Sequence, residues 1–236
     1  MNPDSCFGKA TPRLERPHEE LLHERTRREI IKMPKLLARV RDITGALVAS
    51  PFVYDIVQFA AGSTTCYAHL RALLPPVESE RVLDAGGGTG RSLAILDPSA
   101  RYFAADNDAK KLARLRTKYP NAEAIGADVT RLPFPSGAMG LTLLVFVCHH
   151  LDDTALGQAL AELARVTHGC VLIMDPLWEP RRLRSRLLWH YDEGRHPRTA
   201  AELSDRIARH LSIEREDRFT VHHRYHIWRC RPRPTS

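Results

Sequence analysis

The sequence has no run of about 18 apolar residues, the length a helix needs to cross a bilayer, and its charged N-terminus holds no apolar signal core. An integral membrane protein and an exported one are both set aside, and a cytoplasmic protein is expected. The cysteines are few and badly placed for pairing. Cys6, Cys66, Cys148, Cys170 and Cys230 are odd in number, widely spaced and without a Cys-x-x-Cys pair. That excludes a disulfide framework and a thiolate zinc site, so no metal is expected. No internal repeat appears, which removes solenoid architectures. Acidic residues are outnumbered: 28 Asp and Glu stand against 35 Lys and Arg, for a net charge of +7. Such a balance suits nucleic acid or an anionic surface. Here, however, the arginines are interleaved with Glu and Asp along helical patterns and the tail, and a nucleic-acid partner is not expected. Oligomeric state leaves no mark on the sequence.

What is present is enough for one sizeable core with helical material to spare, at 236 residues. From about Pro17 to Leu47 the pattern is helical, interrupted at Pro34 because proline cannot donate into a continuing helix. Ser50-Pro51 opens a second helix, and a third runs from Thr64 to Leu74, stopped by Pro75-Pro76. Residues 1–76 are read as an N-terminal helical cap, with Phe52, Tyr54 and Tyr67 as candidates to line an acceptor pocket beneath it.

From Arg81 the periodicity changes. Val82-Leu83 leads through Asp84 into glycines spaced two apart, Gly86, Gly88 and Gly90, and a helical pattern follows from Ser92. Strand, glycine loop and helix make a nucleotide-type site, where side chains are absent and backbone N–H groups face the ligand. The spacing is not that of a dinucleotide fingerprint, since the position that needs the third glycine is Arg91. Further strands are predicted at Tyr102–Ala105, Ala122–Gly126, Leu141–Val147 and Cys170–Met174. They are separated by a helix that Asp108 caps and a helix from Asp152-Asp153 closed by Gly169. Apolar strands alternating with amphipathic helices predict an α/β fold: a seven-stranded, mostly parallel sheet of Rossmann-like type with helices on both faces. After a basic helix over Glu179–Tyr191 and another over Thr199–His210, Ser212–Val221 and Tyr225–Arg231 are two closing strands.

The string Val82-Leu83-Asp84-Ala85-Gly86-Gly87-Gly88-Thr89-Gly90 resembles motif I of the class I S-adenosylmethionine-dependent methyltransferases. The resemblance implies S-adenosyl-L-methionine as cofactor over a domain of residues 77–236. It implies that Asp84 and the loop hold the methionine end, and that Asp106, ending the second strand, takes the ribose hydroxyls with Asn107 beside it. Gly126-Ala127-Asp128-Val129 resembles the family's segment after strand three. That likeness implies that Asp128 accepts from the adenine amino group and Val129 flanks the ring. Met139-Gly140 replaces the family's usual Phe-Asp before strand four.

Cys148-His149-His150 leaves the fourth strand where the crevice outside a parallel sheet receives ligands. A histidine there has a suitable pKa to take a proton from a hydroxyl acceptor, so His149 and His150 are the candidate bases. Asp175 and Trp178 follow the fifth strand and are candidates to touch the acceptor. No Asn-Pro-Pro-Tyr or Pro-Cys signature of nucleobase methyltransferases is found, so the partner expected is a small molecule. Oxygen is favoured over nitrogen or carbon as the atom methylated. The rival readings are an RNA or ribosome methyltransferase and a cofactor-binding protein without turnover. Arg181, Arg182, Arg184 and Arg186 suit a solvated helix face. His222, His223 and His226 split between two faces of a strand and are not read as metal ligands.

Overall fold

The computed structural model describes residues 62–76, 80–179, 196–221 and 223–233. The helical pieces expected before residue 62, Phe52 and Tyr54 among them, lie outside the described residues. So do the basic helix from residue 180 and His222.

Seven strands form one sheet: β1 (Arg81–Ala85), β2 (Arg101–Asp106), β3 (Glu123–Gly126), β4 (Met139–Val145), β5 (Thr167–Pro176), β6 (Leu211–Thr220) and β7 (Arg224–Pro232). Their order is β3-β2-β1-β4-β5-β7-β6. The first five run parallel, and β7 enters antiparallel between β5 and β6. The mostly parallel sheet and its closing hairpin are therefore as expected. Central strands are apolar on both sides, with Leu141, Leu143, Leu144, Leu172 and Ile173 fully buried. Edge strand β6 instead carries Glu214-Arg215-Glu216-Asp217-Arg218, charge that keeps an open edge from pairing with another chain.

Four helices complete the described chain: α1 (Ser63–Arg71), α2 (Ala109–Lys118), α3 (Asp153–Val166) and α4 (Ala200–His210). Each of the last three starts on a side-chain cap. Asp108 accepts from the Lys110 and Lys111 amides, Asp152 accepts from Ala155, and Thr199 forms a capping box with Glu202. Alternation along the strands sorts the core into two faces. Leu83, Ala85, Ile173 and Trp228 pack under α3 and α4, while Val82, Leu143, Met174 and Tyr225 pack under α1. Leu156, Leu160 and Leu163 of α3 are fully buried, each contributing roughly 2 kcal/mol by leaving water.

Two expectations are corrected. The helix after the glycine loop is a single 3-10 turn, Arg91–Ile95, with Leu96 already extended. Asp97-Pro98 explains it: proline disfavours helix at the residue before it, and the Asp97 carboxylate takes the Ser99 amide instead. The second concerns Gly169, which does not close a helix. α3 ends at Val166, Thr167 is extended, and Gly169 lies inside β5. A Cβ there would stand 2.2 Å from the Gly140 carbonyl oxygen, where the β4–β5 register shifts. Among the described residues no helix is long and apolar enough to cross a membrane.

Candidate active site

β1 delivers the chain to a loop pinned from the neighbouring strand. The Gly86 and Gly87 amides both donate to the Ala105 carbonyl, at 2.7 and 3.2 Å, and Gly90 N–H closes a turn on the Gly87 carbonyl at 2.9 Å. Gly86, Gly88 and Gly90 have φ of 76°, 53° and 80°, the left-handed region that favours glycine. Each is glycine for its own reason. A Cβ on Gly86 would meet Val147 Cγ2 at 2.4 Å, and one on Gly90 would press Leu115 at 3.1 Å. On Gly88 it would meet nothing nearer than 3.8 Å, and it would stand 3.9 Å from Asp106 Oδ2. Gly88 is therefore the glycine whose missing side chain leaves room for a ligand.

Asp106 ends β2 at the mouth of this loop and is 6% exposed. Its Oδ2 accepts from the Gly88 amide at 2.9 Å and its Oδ1 from the Asp108 amide at 2.8 Å. A carboxylate has about four acceptor sites, so it keeps capacity for two hydroxyl donors. Asn107 beside it is exposed. Asp84, buried on the α1 face, accepts the Tyr102 hydroxyl at 2.7 Å. Burial pushes its carboxyl up to about 6, against the opposing pull of hydrogen bonds from Tyr102 and Ser92.

After β3 the Ala127 amide donates to the Asp106 carbonyl at 3.1 Å, which sets the next segment beside the same carboxylate. Asp128 is exposed there, with Oδ1 accepting both the amide and the hydroxyl of Thr130 at 2.8 Å. Val129 is buried in the core cluster that lies under α3. After the loop the chain forms a 3-10 turn in place of the expected helix, and the amides of Gly86, Gly87, Gly88 and Gly90 donate within the protein, to Ala105, Asp106 and Gly87.

The exit of β4 is strained and crowded. Phe146 has φ 60°, unusual for a bulky residue, while its amide continues the ladder to the Met174 carbonyl at 2.8 Å. Its ring meets Tyr67 of α1 edge-on at 6.2 Å and Tyr225 of β7 at 5.8 Å. Residues 148–150 then form one 3-10 turn. His149 Nδ1 lies 2.9 Å from Asp175 Oδ1, with both side chains almost wholly buried. Two residues named separately from the sequence thus meet. His150 on the same turn is exposed, its ring centroid 4.1 Å from that of His149. Trp178 is half-buried, and its amide donates to the Arg198 carbonyl at 2.9 Å. The Cys148 thiol is held far above its ordinary value, by burial first and then by the Asp175 charge, which removes it as a nucleophile.

Arg198 is the residue that sequence reasoning missed. It is buried and donates to the carbonyls of Cys148 at 2.8 Å and Leu151 at 2.7 Å, with Asp153 Oδ1 at 2.9 Å. It staples the His149 turn to α3. Its only sequence mark is its place just ahead of the Thr199-x-x-Glu202 capping box, which says nothing of long-range contacts.

A glycine loop after β1, a carboxylate ending β2 and a crevice along the strand ends define a nucleotide-cofactor protein of the Rossmann-like class. Residues 82–169 match the model of a family described as a methyltransferase domain. A probable S-adenosylmethionine-dependent methyltransferase of Mycobacterium tuberculosis is 33% identical over 103 residues, covering 43% of this chain and 37% of the relative. A demethylmenaquinone methyltransferase of Chlorobaculum tepidum is 28% identical over 135 residues, covering 54% of this chain and 55% of the relative. The chain thus spans about half or less of the length of these relatives. Among solved structures, the geranyl diphosphate C-methyltransferase of Streptomyces coelicolor A3(2) superposes with a TM-score of 0.62 at 13% identity, over 72% of this chain and 80% of that one. A protein of Pyrococcus horikoshii OT3 gives 0.63 at 16%, over 75% and 92%. Those two likenesses are of fold. Over residues 82–169 the chain is similar to a methyltransferase domain and to S-adenosylmethionine-dependent methyltransferases, and the open space at Gly88 with the doubly anchored Asp106 fits S-adenosylmethionine.

Proposed function

We propose that this protein transfers the methyl group of S-adenosylmethionine to a small-molecule acceptor, a hydroxyl oxygen before nitrogen or carbon. The observation that carries the reading is the buried His149–Asp175 pair at the adjoining exits of β4 and β5. The cofactor supplies an electrophilic sulfonium methyl group. The residues to hold it are Asp84 and the Gly86–Gly90 loop at one end, Asp106 and Asn107 at the sugar, and Asp128 with Val129 at the base. Asp175 can only accept when ionised, so His149 carries its proton on Nδ1 and leaves Nε2 as the basic nitrogen. A base so oriented takes the acceptor's hydroxyl proton, while the closed crevice aligns the partners. Asp175 then acts through His149, and His150 and Trp178 shape the rim.

The rings of Phe146, Tyr67 and Tyr225 pack on one another on the α1 face of the sheet at the end of β4. A relative named demethylmenaquinone methyltransferase supports an aromatic acceptor. In the same reading the protein works in the cytoplasm, and Tyr54 is among the residues that contact the acceptor.

Incubation with methyl-labelled cofactor and a metabolite extract, followed by mass identification of labelled products, tests the proposal. A labelled aromatic ether or ring-methylated product is expected, with turnover reduced roughly 100-fold or more in His149→Ala. Cofactor uptake without any labelled product would favour a binding protein instead. Labelled RNA in place of a metabolite would move the acceptor to nucleic acid.

A further inference from the structure

The face of the sheet that holds Asp175 carries a second buried histidine. His226 on β7 is fully buried and stacks on Trp228, with centroids 4.1 Å apart at 20°. Its Nε2 stands 3.2 Å from Glu216 Oε2 on β6, and its Nδ1 has no hydrogen-bond partner among the described residues. A buried ring nitrogen without a partner is costly, so its persistence asks for a use. The register supplies one. His226 is the Cα partner of Asp175 across the β5–β7 pair, and opposed residues of an antiparallel pair point to one face with Cβ atoms about 5 Å apart. At such a spacing a bridging water would connect the two side chains.

We propose that Asp175, His226 and Glu216 form the exit route for the proton that His149 takes from the acceptor. The inference rests on the methyl-transfer reading above. Methylation of a neutral hydroxyl by a sulfonium releases one proton for each methyl moved. The acceptor O–H bond breaks as the His149 Nε2–H bond forms. The Nδ1 proton of His149 passes to Asp175 and on to His226 Nδ1. His226 gives its Nε2 proton to Glu216, whose side chain is 31% exposed and yields it to water. Each imidazole receives on one nitrogen and releases from the other, then resets. The distances fit this direction: Glu216 at 3.2 Å can only accept, which places the resting proton of His226 on Nε2. The competing donor, Arg218 Nε, stands at 3.5 Å.

Among the described residues, the charged groups bearing on His226 are Glu216, Arg218 and Asp217 of β6; Asp175 of β5 is its partner in register, and Ser204 of α4 touches Glu216 at 3.4 Å. Burial lowers the pKa of His226 despite Glu216, so a proton arriving there is passed on rather than kept.

Imidazole nitrogen NMR on the full-length chain tests the array without any acceptor. His226 is expected neutral near pH 7 with its proton on Nε2; a proton on Nδ1 would overturn the route. Turnover gives the second arm. His226→Gln and Glu216→Gln are each expected to lower kcat roughly 10-fold at unchanged cofactor KM, with added imidazole restoring the rate. Glu216, on the edge strand, is the variant that leaves folding least disturbed. Unchanged kcat in both variants, or a loss that imidazole does not repair, would sink the idea. Absence of any turnover in the wild type would instead strike the methyl-transfer reading, and the tautomer would still decide the array.

Discussion

The amide of Gly88 donates to Oδ2 of Asp106 at 2.9 Å, so one carboxylate both shapes the glycine loop and fronts the cradle it encloses. Its other oxygen is held by the Asp108 amide, the first residue of the turn that caps α2. The carboxylate is thus fixed from two elements before any ligand arrives, which lowers the ordering cost of binding.

Asp106→Ala removes that anchor together with the acceptor proposed for the sugar hydroxyls. Cofactor affinity should fall roughly 100-fold, as expected when two charge-assisted hydrogen bonds are lost. Calorimetry with S-adenosylmethionine on the folded variant measures it. Near-native affinity would place the sugar elsewhere.

Gly86 and Gly88 should part company when each becomes alanine. Both pay for a side chain at positive φ, about 1 kcal/mol. Gly86→Ala also drives its Cβ to 2.4 Å from Val147 Cγ2, and overpacking of that kind adds about 1–3 kcal/mol. Gly88→Ala meets open space, so its damage should fall on ligand affinity instead. Denaturation curves and cofactor titrations of the two variants, side by side, separate the effects. Equal loss of stability in both would contradict the assignment of distinct roles.

Much of this was legible from local pattern. Val82-Leu83 and Leu141–Val145 are apolar runs that only a sheet covered on both faces can bury. Asp108 and Asp152 are caps with helical patterns behind them, and the glycine spacing set the loop. Errors came where neighbours decide. Gly169 sits where an alternating helix stop was expected, but its reason is the Gly140 carbonyl on another strand. The helix after the loop failed because Asp97-Pro98 ends it within one turn. The His149–Asp175 contact spans 26 positions and the Arg198 staple about 50. No periodicity carries such pairings. The sequence places His226 on a strand, and its register with Asp175 is a property of the folded sheet alone.

Asp84 should make stability depend on pH in the sense opposite to most carboxylates. Its pKa in the folded chain is about 6 against an ordinary 3.8, so between those values the native state holds a proton that the unfolded chain has lost. Stability from this group is present at low pH and is lost as pH rises from about 4 to about 6, by an amount on the order of 3 kcal/mol. Asp84→Asn keeps an acceptor for the Tyr102 hydroxyl and cannot ionise. The difference in unfolding free energy between wild type and Asp84→Asn should therefore shift against the wild type across that window and be flat above pH 7. A flat difference throughout would show that Asp84 ionises normally.

Arg198 is where stability and turnover should be lost together. Its guanidinium serves the carbonyls of Cys148 and Leu151 and the Asp153 carboxylate at once. Only a planar fork with several donors in fixed directions spans three such acceptors, so lysine is not a substitute. Arg198→Lys leaves at least one buried carbonyl without a donor, at about 1–3 kcal/mol. It also frees the turn that carries His149, whose own carbonyl is held by the His196 amide two residues upstream of Arg198. Affinity for the cofactor should change less than turnover, because the hydrogen bonds of the Gly86–Gly90 loop run to β2 and within the loop itself. The expected pattern is a lower denaturation midpoint, near-native cofactor binding and kcat reduced roughly 10-fold or more through misplacement of the base. Were Arg198→Lys as stable and as active as the wild type, the staple would be incidental, and the rigidity of the His149 turn would have to come from Asp175 and the His196 amide.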